Sequence, residues 1–192
     1  MEIIIIIFIC YFFGSLPFGF LLTKFFLNKD IRKIGSGNVG ATNVLRTGNK
    51  LIAYGTLTLD ILKAVIPILF IKIYHHEFLY ISSLTIFLGH VFPIWLRFKG
   101  GKGVATYLGI LFCINFYLGI VFGIAWLITF FIFKYSSLSS IVGSLSIPIA
   151  NFFFFSNEMI FFFIIMFVLI FYTHRENIKR LLNRTESKTK IY

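Results

Sequence analysis

The chain has 192 residues, of which 58% are apolar and only 13% are charged. A soluble domain carries about 25% charged residues, and a chain of this length cannot hide so much apolar surface in a globular core. The composition argues against a soluble enzyme, a disordered protein and a secreted disulfide scaffold. We therefore predict an all-α integral membrane protein in which residues 1–192 form a single transmembrane domain.

Apolar stretches long enough to enter a bilayer recur along the whole chain. They cover residues 3–23, 51–73, 79–96, 104–133, 137–155 and 159–173. The fourth stretch is longer than the roughly 20 residues that one span needs, and it contains Asn115. It is either one long helix or two short helices with a turn at 115–119.

The positions of the basic residues favour two helices in this stretch. The chain then has about seven spans, and 16 of its 18 Lys and Arg residues fall on one face, within a net charge of +11. Cytoplasmic loops carry an excess of Lys and Arg. We therefore predict an outer N-terminus and a cytoplasmic C-terminus, with the lipid bilayer as partner and no nucleic acid.

The first polar segment, residues 31–50, mixes glycines with small hydrogen-bonding residues. Glycines let backbone N–H groups turn toward a ligand. Asn38 is predicted to cap a short helix over 40–47, whose N-terminus would favour an anion, and Arg46 offers a fork for phosphate. The candidate site residues here are Ser36, Asn38, Asn43 and Arg46. The alternative is an ordinary basic membrane loop.

The second polar segment, residues 89–109, places three glycines around Lys102, directly before an apolar helix. Flexible backbone, one cation and a helix N-terminus suit a second anion site. The segment is not a Walker A loop, because Gly103 rather than Ser or Thr follows the lysine. The alternative is a tight interhelical turn. His90, near the end of a span, is either a packing residue or a site residue.

Two charged residues lie inside a predicted span. Asp60 and Lys63 are each expensive at the centre of a membrane helix, by about 2.5–3.5 kcal/mol. Their spacing of three residues lets them pair on one helix face. The sequence favours a structural ion pair over a direct part in a site or pathway.

The tail from residue 174 has the pattern of an amphipathic interfacial helix, which needs no function beyond anchoring. His174 and Asn177 lie beside its apolar face and could turn toward the helix bundle. Elsewhere, the chain has only two aspartates, Asp30 and Asp60, and no Cys/His cluster. Carboxylate magnesium sites and zinc sites need more ligands, so we expect no metal and no cofactor.

Four blocks of sequence carry a family resemblance. They lie at 14–19, at 35–43 with Arg46, at 89–106, and at 174–182 with Glu186. In these blocks the chain resembles the acyl-phosphate-dependent glycerol-3-phosphate acyltransferases of bacterial membranes, the PlsY family. It departs from the family pattern at Val39, where proline is usual, and at Arg184, where glycine is usual.

The resemblance implies a seven-helix enzyme of the bacterial cytoplasmic (inner) membrane, with its site facing the cytoplasm. Such an enzyme transfers a fatty acyl group from acyl phosphate to the 1-hydroxyl of sn-glycerol 3-phosphate, the first step of phospholipid synthesis. The products would be lysophosphatidic acid and phosphate. No cofactor is implied, and the reaction could couple to an enzyme that makes acyl phosphate.

The resemblance also implies roles for individual residues. Catalysis would depend on Ser36, Arg46, Lys102, His174, Asn177 and Glu186. Gly100, Gly101 and Gly103 would serve the acyl-phosphate end. To these we add, from the chemistry and position of the residues, substrate binding by Asn38, Asn43, His90 and Thr106. Asp60 and Lys63 would be a supporting ion pair.

Two other classes of protein could carry basic glycine loops at a membrane face. A small anion transporter or channel would also need them, but transporters commonly have inverted repeats and broken helices at both faces, whereas the predicted outer loops here are short and nearly uncharged. A structural scaffold would leave the glycine and cation loops unexplained.

Overall fold

The structure, a computed structural model, describes residues 1–155 and 159–189. Within these ranges the chain forms α-helices and short 3-10 turns and no β-strand. The helices are α1 (Glu2–Ser15), α2 (Phe18–Leu27), α3 (Ala41–Leu45), α4 (Lys50–Tyr74), α5 (Leu79–Val91), α6 (Val104–Ile114), α7 (Phe116–Phe133), α8 (Ser136–Phe154), α9 (Ile160–Thr173) and α10 (Arg175–Leu182). The 3-10 turns are Ile31–Lys33, His76–Phe78 and Ile94–Leu96. The chain divides into two compact units, Met1–Ile114 and Asn115–Tyr192.

In the described part of the chain, four helical stretches are long and apolar enough to cross a membrane. They are Glu2–Leu27, His76–Leu96, Phe116–Phe133 and Ser136–Phe154. A fifth candidate is the pair α9 and α10, which is bent by 61°. Helices suit an apolar chain of this kind because they satisfy every backbone hydrogen bond within the segment.

In the first unit, α1 packs against α5, and α4 packs against α6. Close approach of α1 and α5 depends on glycine: a Cβ at Gly89 would lie 2.6 Å from the Tyr11 carbonyl oxygen. The predicted first span is not one continuous helix, because α1 ends at Ser15 and α2 begins at Phe18. Pro17 lies in this break, where its missing N–H and fixed ring interrupt the helical hydrogen bonds.

The second unit begins at the turn that the sequence predicts within 104–133. Asn115 separates α6 from α7, and its side-chain oxygen accepts a hydrogen bond from the Tyr117 N–H (2.9 Å). Such a side-chain cap satisfies one free donor of the first helical turn. In this unit α7 packs against α8, and α8 packs against α9. Trp126 donates to the Ser140 hydroxyl (3.2 Å), which ties α7 to α8.

Candidate functional site

Asn43 organises the first polar segment. Its side-chain oxygen accepts a hydrogen bond from the Ser36 N–H (3.0 Å). Its amide nitrogen lies within hydrogen-bond distance of the carbonyl oxygens of Ile31 (3.2 Å), Ile34 (2.9 Å) and Asn38 (2.8 Å). Asn43 is buried, so these contacts fix the course of the loop from inside.

One prediction about this segment is wrong. Asn38 does not cap the helix: α3 spans Ala41–Leu45 with Gly40 as its cap residue, and no side chain caps it. The Asn38 carbonyl is instead held by Asn43, within α3. The helix is also shorter than the one predicted over 40–47. Anion binding at this loop stays a prediction.

The contacts of Asn43 give a testable prediction. Asn43→Asp replaces the amide donor by an oxygen that faces three carbonyl oxygens, which removes about 1 kcal/mol for each lost hydrogen bond and adds repulsion. We expect the amides of residues 31–40 to exchange hydrogen much faster in detergent-solubilised variant protein. Asn38→Asp makes the same chemical change outside these side-chain contacts and should leave exchange near the wild-type rate. Equal exchange in both variants would contradict the assignment.

Arg46 and Ser36 lie at the exposed surface of this loop. A Cβ at Gly35 would lie 2.8 Å from Arg46 Cδ and 3.1 Å from Arg46 Nη1. Gly35 also has a φ of +55°, a conformation that favours glycine. The guanidinium therefore lies directly over the loop backbone, one residue from Ser36.

The second polar segment folds back on the end of α5. The Gly100 N–H donates to the Val91 carbonyl (3.0 Å), and the Gly101 N–H donates to the His90 carbonyl (3.1 Å). Gly103 has a φ of +82°, and α6 begins at the next residue. The half-buried Lys102 thus lies in a glycine-framed turn at a helix N-terminus, as the sequence predicts.

One apolar cluster joins the two polar segments. Leu96, from the turn after α5, packs in the same buried cluster as Ile31, Val39 and Val44 of the first segment. Val39, where the family usually has proline, is thus a core residue. Burial of these side chains holds the two glycine-rich loops within one unit.

Asp60 and Lys63 form a buried ion pair on α4, with Nζ and Oδ1 2.8 Å apart. Lys63 also donates to His90 Nδ1 (2.8 Å) and to the Leu16 carbonyl at the end of α1 (2.8 Å). The hydroxyl of Thr106, on α6, donates to the Asp60 carbonyl (3.3 Å). The pair therefore connects four helical elements, a role that its local spacing cannot reveal.

In the second unit, Glu186 is the centre of a polar cluster. Its Oε1 accepts hydrogen bonds from Ser137 (2.7 Å) and Asn177 (2.7 Å), and its Oε2 accepts one from Arg180 Nε (2.6 Å). The buried His174 Nδ1 donates to the Ile170 carbonyl (2.8 Å). Because a carbonyl only accepts, Nδ1 carries the proton, and Nε2 is the basic nitrogen of the neutral ring.

Arg184, the second departure from the family pattern, has a φ of +57°. This left-handed conformation favours glycine, which explains why a glycine suits that position, and an arginine there costs about 1–2 kcal/mol. The hydrogen bonds to Glu186 form nevertheless.

The cluster around Glu186 makes stability depend on pH. Burial would raise the pKa of Glu186, but hydrogen bonds from Asn177, Arg180 and Ser137 outweigh burial and hold its pKa below the ordinary value of 4.5. The Glu186 carboxylate therefore stabilises the fold fully above pH 4.5. This stabilisation is lost as the pH falls through the lower pKa that Glu186 has in the folded protein.

We expect Glu186→Gln to lower the thermal midpoint in detergent at neutral pH. The difference from the wild-type midpoint should shrink as pH falls below the ordinary pKa of 4.5 and through the lower pKa of the folded protein. Glu176→Gln, which removes an exposed carboxylate on α10, is the control and should change the midpoint little at any pH. A constant difference for Glu186→Gln across the pH range would contradict a role for its charge.

The sequence did not predict several of the residues that contact the candidate site residues. Ser137 has no motif around it, and nothing in the sequence connects it with Glu186. The Leu16 carbonyl could have been found, since Pro17 signals a helix break that frees a backbone acceptor. Among the described residues, no group of three or more His, Cys, Asp or Glu side chains could hold a metal ion.

The sequence matches a known family over almost its whole length. The profile described as "Glycerol-3-phosphate acyltransferase" matches residues 4–184. A glycerol-3-phosphate acyltransferase of Pelagibacter ubique (strain HTCC1062) is 65% identical over 192 residues, which is 100% of both chains. One of Mesorhizobium japonicum is 47% identical over 178 residues, covering 93% of this chain and 91% of the relative.

Two solved structures are also similar to this chain. Both are crystal structures of PlsY (YgiH), an integral membrane glycerol 3-phosphate acyltransferase, and both are 36% identical to it. The glycerol 3-phosphate form has a TM-score of 0.91 and covers 99% of this chain and 96% of the other. The lysophosphatidic acid form has a TM-score of 0.88, with 98% and 95% covered. The chain is thus a multi-pass membrane protein, and it belongs to the glycerol-3-phosphate acyltransferase family.

Proposed function

We propose that the protein transfers a fatty acyl group from acyl phosphate to the 1-hydroxyl of sn-glycerol 3-phosphate. The products are 1-acylglycerol 3-phosphate (lysophosphatidic acid) and inorganic phosphate. This would be the first step of phospholipid synthesis, and an enzyme that produces acyl phosphate would supply the donor.

One observation carries the choice of acceptor and product. The two solved relatives are described as the glycerol 3-phosphate form and the lysophosphatidic acid form. Lysophosphatidic acid is glycerol 3-phosphate bearing one fatty acyl ester, so the two forms correspond to the acceptor and the product of a single acyl transfer. We choose acyl phosphate as the donor because the sequence motifs resemble those of the acyl-phosphate-dependent family. The two glycine-rich loops also suit two substrates that each carry a phosphate.

The two glycine-rich loops of the first unit suit two phosphorylated substrates. Arg46 lies over the first loop, beside Ser36, where a guanidinium can make a bidentate contact with phosphate. Lys102 lies in the second loop, directly before the N-terminus of α6, and a helix N-terminus favours an anion. We assign the acyl phosphate to Gly100–Gly103 and the acceptor phosphate to Ser36 and Arg46, with Asn43 positioning that loop.

The chemistry needs no covalent enzyme intermediate, because an acyl phosphate is already an activated mixed anhydride. The 1-hydroxyl oxygen attacks the acyl carbonyl carbon, a C–O ester bond forms, and the bond from that carbon to the phosphate oxygen breaks. Phosphate leaves with the electron pair, and the hydroxyl proton passes to a base. Holding both substrates in place and neutralising their charge supplies the catalysis.

We assign further roles to the second unit on the basis of the family resemblance. His174, Asn177 and Glu186 take part in catalysis, with Glu186 orienting Asn177 through their 2.7 Å hydrogen bond. His174 carries its proton on Nδ1, so Nε2 is the basic nitrogen of the ring.

The membrane arrangement completes the proposal. We propose seven spans, an outer N-terminus and a cytoplasmic site in the bacterial inner membrane, since this places 16 of 18 basic residues inside. We also propose that residues 1–192 act as one acyltransferase domain, because the family match runs through both compact units.

An assay of the purified protein in detergent tests this function. Palmitoyl phosphate and labelled glycerol 3-phosphate should give labelled lysophosphatidic acid and one equivalent of phosphate. Palmitoyl-CoA and palmitoyl-acyl carrier protein are tested in parallel as donors. Lys102→Met, with Lys99→Met as the control in the same loop, shows whether the product depends on the proposed site.

Each outcome has a defined meaning. Product from palmitoyl-CoA alone would refute the acyl phosphate donor while keeping the acyl transfer. Absence of product with every donor would refute the enzyme proposal. Phosphate flux into sealed vesicles without acyl transfer would favour the anion transporter instead.

A further inference from the structure

Lys63 is held by three partners, which equal its three N–H donors. It forms an ion pair with Asp60 Oδ1 (2.8 Å) and hydrogen bonds with the Leu16 carbonyl (2.8 Å) and His90 Nδ1 (2.8 Å). Lys63 and Asp60 are both at most 3% exposed. The ammonium is therefore fixed in place by groups from α4, α5 and the break after α1.

This arrangement determines the tautomer of His90. A lysine ammonium can only donate, so His90 Nδ1 must act as the acceptor. A neutral imidazole whose Nδ1 is an acceptor carries its proton on Nε2. The contact between Lys63 and Nδ1 therefore makes Nε2 the donor nitrogen of the His90 ring.

The Nε2 end of the ring faces the glycine loop, Gly100–Gly103. A Cβ at Gly101 would overlap Nε2, with the ring carbon Cδ2 3.0 Å away. Glycine at 101 is thus required for the imidazole to lie against the loop backbone. Within residues 1–155 and 159–189 the polar side-chain contacts of His90 are made by Nδ1, and Nε2 is not among the fully buried polar atoms that lack a partner. The Nε2–H is thus within reach of a ligand at the loop, although His90 as a whole is only 6% exposed.

We propose that the Nε2–H of His90 donates a hydrogen bond to the phosphate-bearing substrate held at Gly100–Gly103. Lys63 is a positioning residue that keeps His90 in the donor tautomer, and Asp60 balances the charge of Lys63. This inference rests on the proposed function and adds a side-chain donor to Lys102 and the N-terminus of α6. By the assignment above, the substrate phosphate at this loop is that of acyl phosphate, and the kinetic test distinguishes it from glycerol 3-phosphate.

The tautomer is testable without any activity. In protein with ¹⁵N-labelled histidine, ¹⁵N NMR in detergent should reveal one ring with a bare Nδ1 and a protonated Nε2. His90→Asn should remove that set of signals, which assigns it. Addition of a non-hydrolysable acyl phosphonate, or of glycerol 3-phosphate, should shift its Nε2 resonance. A protonated Nδ1, or no shift with either ligand, would overturn the proposal.

Two variants distinguish the role of Nδ1 from the role of Nε2. His90→Asn retains an acceptor near the Nδ1 position but loses the Nε2 donor. His90→Gln places an amide donor near the Nε2 position and weakens the contact with Lys63. For His90→Asn we expect a rise in the KM of one phosphorylated substrate by about 10- to 100-fold, typical of a lost hydrogen bond to a charged group. His90→Gln should keep that KM within a few-fold while its thermal midpoint falls.

The outcomes distinguish this inference from the proposed function. A wild-type protein without acyl transfer would refute the proposed function itself. An active wild type whose KM values are the same in His90→Asn would refute only the role of His90. A rise in the KM for acyl phosphate alone supports that substrate at the glycine loop, and a rise for glycerol 3-phosphate alone would contradict this assignment and place the acceptor there.

Discussion

Arg46→Ala lowers acyl transfer by about 100- to 1,000-fold, the loss typical of removing one preorganised donor to a developing or bound anion. The guanidinium lies over the backbone of Gly35, beside Ser36, where its fork can face a substrate phosphate. We expect the KM for glycerol 3-phosphate to rise and kcat to fall. Arg46→Lys should recover only part of the activity, because an ammonium cannot reproduce a bidentate contact.

Arg32→Ala is the matched control for this prediction. Arg32 belongs to the same polar segment and carries the same charge, but its guanidinium is bound to Asp30 at 2.7 Å and 2.9 Å. We expect less than about a threefold change in its activity, since exposed ion pairs contribute little. Equal losses in the two variants would indicate that only the total charge of the segment matters. Full activity in Arg46→Ala would remove the phosphate assignment.

Lys63→Met destabilises the protein by about 3–5 kcal/mol, because it leaves a buried carboxylate without its counter-ion. It also removes the donor to the Leu16 carbonyl and to His90 Nδ1. We expect a large fall in folded yield and in the thermal midpoint, measured by size exclusion after heating in detergent. Asp60→Asn combined with Lys63→Met should recover part of this loss, since no buried charge then lacks a partner.

Lys72→Met tests whether any lysine of α4 would give the same result. The Lys72 ammonium donates to the Cys113 carbonyl (2.6 Å) at the end of α6, and Lys72 is exposed. A cation at a helix C-terminus contributes about 0.3–1 kcal/mol. A similar midpoint for Lys63→Met and Lys72→Met would contradict the importance of the buried pair.

Local features of the sequence predict much of the fold. Long apolar stretches predict helices because a bilayer allows no unpaired backbone, and the structure is helical in each of them. Asn115 marks the break between α6 and α7 because an asparagine side chain can cap the next helix. Glycines around Lys102 predict a turn before a helix, and α6 begins at Val104.

Predictions that depend on distant partners were incomplete or wrong. Asn38 and Asn43 lie in one short segment, and sequence alone favoured Asn38 as the helix cap. The structure instead makes Asn43 the residue that holds the loop, because burial brings Asn43 to three backbone carbonyls. Propensity ranks the two asparagines alike, so only packing can separate them.

Composition and local spacing were enough to predict the class of protein, the helices and the local pairs, including Asp60 beside Lys63. The partners of these groups depend on how the helices pack. His90 lies 27 residues from Lys63, the Leu16 carbonyl 47 residues from it, and Ser137 is 49 residues from Glu186. Helical periodicity fixes the face on which a side chain lies, but its partner depends on which helix packs against that face.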